Sequence, residues 1–444
     1  MQGKRVPGER SMTFAAAVNG IGNGMYVPFT LVFFHYVTGL SFAVVGAVLT
    51  VTGLAGMAAL PLAGAAVDRF GARPVQYVLY TVRAIGFLLY PAAHSLPAFA
   101  AVAFLTAAAD RAFPAAQSAL IGEVARGADR DRLQAALRAL TNGGSGAGAL
   151  LATLVIGVAG PGAYTYAAWG NALTFAVAAL LLRPLRPVRP VRPVRPVRTV
   201  RTAVAGEGRR RAGYRLVAAD RPFLVLTGAN FLNALSYSAL SVLFPLFIVE
   251  WLHGPAALTG TAFTVNTVLC AVAGMFVAGR VRGTGARRTR SAALGGMLFA
   301  ASFAGLAVLG TVRPGGGLLI ATALIVLVVV YTLGELVHSP SAEVLAVSAA
   351  PEEARGRYMA AYQLSWSLAK AVSPSLFTGL LAVDGRVPWL FLIATSAVAA
   401  GLLIRVERRL PVESVQTVVV ARAPQPVREP VAATTAVATT AVAS

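Results

Sequence analysis

The chain has 444 residues, of which 57% are hydrophobic and 12% charged, against roughly 25% charged residues in ordinary soluble domains. With a mean hydropathy of +0.70, it carries more apolar side chain than a water-soluble fold can bury. The formal net charge of +21 invites a nucleic-acid reading, but the placement of the arginines at the ends of apolar runs explains it without one.

The opening MQGKRVPGERSM resembles the basic end of a secretory signal, yet no small-residue cleavage site follows, so the first apolar run is expected to remain as a helix. Apolar stretches fall at about 11–37, 41–66, 75–92, 96–118, 133–158 and 164–182, and again at 222–250, 258–279, 291–311, 316–340, 358–382 and 387–404. A bilayer core of about 30 Å takes roughly 20 apolar residues per helical crossing, so each run is sized for one span. Unpaired backbone is not tolerated in lipid, and the alternating pattern of barrel strands is missing, so the runs are expected to be helices. The expected fold is an all-α membrane protein with twelve transmembrane helices in two six-helix bundles, 1–182 and 222–405.

Between the bundles, residues 183–221 repeat a short Arg/Pro unit, RPLRPVRPVRPVRPVRTVR, in which proline excludes a stable helix and favours an extended spacer. It is expected to be a solvated cytoplasmic linker, although clustered arginines beside anionic lipid each gain about 1 kcal/mol. The tail 406–444, ending VAATTAVATTAVAS, is of low complexity and expected to be disordered. Lys4, Arg5, Arg10, Arg69, Arg73, Arg126, Arg130, Arg132, Arg280, Arg287, Arg288, Arg290, Arg355, Arg357, Arg405, Arg408 and Arg409 fall on one side of the spans, with little beyond Arg313 and Arg386 on the other. Both termini are therefore expected in the cytoplasm. The Arg, Ala and Gly bias suggests a GC-rich bacterial genome and hence the inner membrane.

The halves echo each other. Gly71-Ala72-Arg73 after the second run matches Gly285-Ala286-Arg287 after the eighth, and Arg130-Asp131-Arg132 before the fifth matches Arg355-Gly356-Arg357 before the eleventh. Both of the latter are followed by paired alanines, Ala135-Ala136 and Ala360-Ala361. Repeated bundles are a common construction in transporters.

The stretch GAAVDRFGARP, Gly64 to Pro74, resembles the signature loop between helices 2 and 3 of the major facilitator superfamily, and the resemblance extends from about Ser11 to Arg405. Gly64, Asp68, Arg69, Gly71 and Arg73 match that pattern position by position. The resemblance implies a gating loop that braces the cytoplasmic helix ends in the outward-facing state. Close helix contact at the glycines and pairing of Asp68 with an arginine or helix end are the physical expectation. In the second copy Arg282 stands at the counterpart of Asp68, so weaker gating is expected there. Gly334-Glu335, Ser339-Pro340, Ala350-Pro351 and RGRYMAAYQLSW from Arg355 to Trp366 resemble the drug:proton antiporter branch, and peptide transporters of the family share a similar Gly-Glu with a later proline. The antiporter signature of helix 5 is not met: TNGGSGAGALL keeps close-packing glycines, Gly144 and Gly148, but lacks the proline.

An ionisable side chain at a helix centre costs at least about 2.5–3.5 kcal/mol unless paired or hydrated, so Arg83, Asp110, Arg111, Glu335 and Lys370 attract functional readings. In the resembled fold helices 1, 4, 7 and 10 line the cavity, which implies that Glu335 and Asp110 are proton-coupling residues, with Arg111 and Lys370 as counter-ions or substrate contacts. The structural alternative is a static ion pair of Asp110 with Arg83 or Arg111. Asn19 and Asn23, on one face of the first helix, and Asn230, Asn233 and Tyr237 in the seventh, are expected either to contact substrate or to tie helices together. Cys270, the single cysteine, reads as a small buried hydrophobe and excludes an internal disulfide. The scattered histidines and the lack of HExxH, phosphate-loop and dinucleotide patterns give no metal, cofactor or catalytic site.

The function expected is proton-coupled export of small amphipathic molecules by a monomer, with small-molecule substrate, protons and the lipid bilayer as partners. Uptake of a peptide or organic acid, its carboxylate held by Arg111 and Lys370, is the transport alternative. A non-transporting membrane sensor or assembly protein is the alternative of another class.

Overall fold

The computed structural model describes residues 8–125, 127–159, 162–183, 215–255, 257–283, 286–313, 316–351 and 354–416. The linker reading falls almost wholly outside these residues, as do the tail beyond Gln416 and the side chain of Arg282. The described residues are predominantly helical, with no strand among them. The first half comprises α1 (Glu9–Tyr26), α2 (Thr30–Thr38), α3 (Phe42–Gly56), α4 (Ala59–Phe70), α5 (Ala72–Leu89), α6 (Leu96–Val124), α7 (Gly127–Ala159) and α8 (Ala163–Leu182). The second comprises α9 (Arg221–Ser238), which continues through π-helical turns to Trp251, then α10 (Ala257–Gly283), α11 (Arg288–Val312), α12 (Gly317–Ala349), α13 (Arg355–Val383) and α14 (Val387–Val406).

Every apolar run lies on helix, and the irregularities have local causes. The first run bends through a 3-10 turn at Val27–Phe29 containing Pro28. The second is interrupted at Met57-Ala58, four and three residues before Pro61, whose ring excludes the carbonyl of Met57 from the helical ladder. Nine helices among the described residues are long and apolar enough to cross a membrane, or ten if Glu9–Thr38 and Phe42–Gly56, bent by 116°, form one broken span. The expected count of twelve is not reached by this measure, because α3 and α4 are each short and because Arg73, Gln76 and Arg83 dilute the apolar run of α5.

Within the first half α1 packs on α7 and α8, and α5 on α6 and α8; within the second, α11 packs on α12 and α14, and α9 on α13 and α14. The α1/α7 contact is unusually close. A β-carbon on Gly24 would collide with the Ser145 carbonyl, and one on Gly148 with the carbonyl of Ile21, so glycine is what lets these backbones touch.

The halves meet through α3 with α13, α7 with α10, and the turn at Val27–Phe29 with the π-helical turn Ala239–Leu243. These contacts lie toward one end. Ser375 donates its backbone N–H to Thr50 Oγ1 (3.1 Å) and its hydroxyl to the Gly46 carbonyl (3.1 Å). At that same end the two exceptions to the arginine asymmetry are engaged. Arg386 Nε donates to Asp384 Oδ1 at 2.9 Å, which holds the Asp384 carboxyl below its ordinary range, and the Arg313 guanidinium lies 4.2 Å from the Trp251 ring centroid.

Candidate functional site

Arg83, near the middle of α5, organises the first half. Its Nε lies 2.6 Å from Asp110 Oδ1, its Nη1 donates to Asn19 Oδ1 (3.2 Å) and its Nη2 to Asn23 Oδ1 (3.0 Å). The guanidinium carbon stands 3.9 Å from the Phe175 ring centroid. One arginine therefore joins α1, α5, α6 and α8, and the planar fork uses its donors on several partners at once. Of the two readings for Asp110, the ion pair with Arg83 is formed, and the asparagine face of α1 ties helices together. Asp110 nonetheless keeps 38% side-chain exposure against 5% for Arg83, so the carboxylate is the accessible member of the pair.

Glu335, on α12, sits in a different setting. Its Oε2 accepts from Asn266 Nδ2 (2.9 Å), which also donates to Thr332 Oγ1 (3.0 Å), and the Cys270 thiol lies beside the carboxylate. Tyr237 closes the group: its hydroxyl pairs with His338 Nδ1 at 3.1 Å, and its ring packs against Phe299 and Trp366 at 5.2 and 4.9 Å. Among the described residues Glu335 has no cationic partner. Asn266, Thr332 and His338 were not singled out by the sequence, although Asn266 and Cys270, four apart in α10, and Glu335 and His338, three apart in α12, each share a helix face. Cys270 is half-buried beside a carboxylate, a correction to its reading as an inert core residue. Asn230 and Asn233 are buried. Asn230 Nδ2 donates to Ser365 Oγ (2.7 Å) and Asn233 Nδ2 to its own helix at Ala229 O (3.2 Å), so both serve packing in this conformation.

Arg111, on α6, is half-buried and Lys370, on α13, is exposed. Three of these charged positions stand just before an interior proline. Pro114 follows Asp110 by four residues, Pro374 follows Lys370 by four and Pro340 follows Glu335 by five. Such a proline removes the bond to the carbonyl four residues earlier, so the helices that carry charge are also the ones with weakened ladders.

The gating-loop residues divide. Gly71 adopts φ +87°, a conformation that L side chains resist. Ala72 N–H then donates to Glu123 Oε1 (2.9 Å), and Arg73 Nε donates to the Leu182 carbonyl (2.9 Å), with Nη2 on the carbonyl of Arg183. Gly64 has open space where a β-carbon would stand, a correction to its expected close contact. Asp68 and Arg69 are exposed, and among the described residues Asp68 makes no ion pair. The cause is conformational: the halves touch at the other end, so no described residue of the second half pairs with Asp68. That half has its own anchor: Glu407 accepts from Arg287 Nη1 (2.5 Å) and Thr289 Oγ1 (2.5 Å). Arg73 and Arg287, matched in the sequence echo, thus both secure the end of the last helix of their half.

Long apolar helices in two halves, with charged and polar side chains held among them, fit the class of secondary transporter. The family model described as Major Facilitator Superfamily matches residues 12–374, with a second match over 226–443, and the chain belongs to that superfamily. A search of curated proteins returns no match. Among solved structures the chain is similar to the nucleoside transporter NupG (D323A mutant), at 14% identity and TM-score 0.69, covering 90% of this chain and 99% of that one. It is similar also to peptide transporter POT in complex with sulfate, at 18% identity and TM-score 0.67, covering 91% and 95%. A POT family transporter in complex with 5-aminolevulinic acid matches at 14% identity and TM-score 0.67, covering 91% and 96%. At these identities the likeness is one of fold. The chain is a multi-pass membrane protein and a secondary transporter of small molecules.

Proposed function

We propose that this transporter exports small amphipathic molecules against a proton gradient, with Glu335 as the residue that takes up and releases the coupling proton. The observation that carries the reading is a carboxylate inside the membrane-spanning part of the fold with amide, thiol and aromatic neighbours and no ion-pair partner among the described residues. Holding a bare charge there costs several kcal/mol, and gaining a proton removes that cost. Asp110, paired but accessible, is the second candidate for the same chemistry. Protonation and substrate binding then bias one rocking equilibrium between the halves.

The topology that fits is twelve crossings in two bundles, 1–182 and 222–405, with the linker 183–221 and both termini in the cytoplasm of a bacterial inner membrane, working as a monomer. Arginine placement supports it, and in that orientation the described conformation is closed at the outer face. Asn19, Asn23, Tyr237, Arg111 and Lys370 are the proposed substrate contacts, the two asparagines once Arg83 releases them, while Asn230 and Asn233 are proposed to reach substrate only when α9 and α13 separate. Export follows from the resemblance around Glu335 and Pro340. The test is a solute panel in inside-out vesicles under an imposed pH gradient. Accumulation in the lumen that an uncoupler abolishes is expected; solute movement indifferent to the gradient, or only out of the lumen, contradicts the proposal.

A further inference from the structure

The charge balance between the halves bears on what is carried. The spans carry three cations, Arg83, Arg111 and Lys370, against two carboxylates, Asp110 and Glu335. Asp110 is engaged by Arg83 at 2.6 Å, and Glu335 is held by Asn266. That leaves Arg111 and Lys370, neither of which forms an ion pair among the described residues. They come from opposite halves yet converge on one point of α3. Arg111 Nη2 and the Cα of Ala371, the neighbour of Lys370, each lie 3.7 Å from where a β-carbon on Gly53 would stand. Two like charges brought together repel, and that repulsion acts whenever α6 and α13 approach.

We propose that the transported molecule carries an anionic group, a carboxylate or similar oxyanion, which is held between Arg111 and Lys370 and bridges the two halves. The neighbouring wall suits the apolar remainder of such a molecule. Trp366 precedes Lys370 by one helical turn on the same face and packs against Tyr237. A bridging anion turns the repulsion into two charge-assisted contacts, and so favours the arrangement in which α6 and α13 are close. The inference rests on the secondary-transport reading and names the substrate class for it: amphipathic organic anions.

The test is calorimetric titration of the purified full chain in detergent with three carboxylates, 2-naphthoate, indole-3-acetate and decanoate, each beside its neutral amide. At least one carboxylate is expected to bind roughly tenfold more tightly than its amide. Arg111→Gln and Lys370→Gln should each abolish that preference, while Arg111→Lys retains most of it. Unfolding midpoints of the variants identify any that fail to fold, and the wild-type comparison stands without them. No preference for the anion in any pair, or a preference that survives both neutral substitutions, overturns the inference. Anion-selective binding without gradient-driven transport would instead count against the proposed function alone, whereas gradient-driven export of neutral or cationic solutes with no anion preference would count against this inference alone.

Discussion

Arg83 is a cation in the membrane-spanning part of the fold, where charge is penalised, and it is tolerated because Asp110, Asn19, Asn23 and the Phe175 face share it. Replacing it with alanine strands Asp110 and two asparagine oxygens. A fully buried pair costs roughly 3–5 kcal/mol to break in this way, and the 38% exposure of Asp110 lowers the expectation to about 2–3 kcal/mol. The double substitution Arg83→Gln with Asp110→Asn should recover part of that loss. Unfolding in detergent measures both, and equal midpoints for Arg83→Ala and wild type would remove the hub from the account. By contrast Asp384→Asn, in an exposed loop pair, should leave the unfolding midpoint at the wild-type value. The charges themselves were legible in the sequence because intramembrane Arg, Asp, Glu and Lys stand out against an apolar background. Their partners were not, since the Arg83–Asp110 and Asn266–Glu335 contacts join helices whose mutual rotation no single run of residues specifies.

At the scale of the helix, Pro28, Pro61 and the prolines following Asp110, Glu335 and Lys370 decide where rods bend. Proline positions are visible in any sequence, but whether one interrupts a helix depends on neighbours that re-satisfy the freed carbonyl. Thus Pro61 accompanies a break, whereas Pro114, Pro340 and Pro374 lie inside continuous helices. The glycines of α7 offered a clearer signal. Gly144 and Gly148, spaced for close packing, do meet α1, whereas Gly64 of the signature loop meets nothing. Gly148→Ala should cost about 1–3 kcal/mol through overpacking, while Gly64→Ala should be nearly neutral for folding. A thermal melt of the two variants side by side checks the contrast, and equal losses would contradict the packing described here.

Across the whole molecule, the all-helical, multi-pass character was readable because bilayer thickness fixes helix length. Which end is closed was not, because both ends of a rocking transporter are encoded by one sequence. The contact of Ser375 with Thr50 and Gly46 gives that state a handle. In a Cys270→Ala background, Thr50→Cys with Ser375→Cys should cross-link on oxidation, arrest transport and recover on reduction; a cross-linked protein that transports at the uncross-linked rate would show that this end need not open.

The most direct measurement concerns Glu335. Proteoliposomes holding wild type or Glu335→Gln are loaded with a transported solute and assayed twice, once for exchange at equal pH and once for accumulation under a pH gradient. Glu335→Gln should keep exchange and lose gradient-driven accumulation. Accumulation by Glu335→Gln at the wild-type rate would contradict the assignment of the proton to this carboxylate.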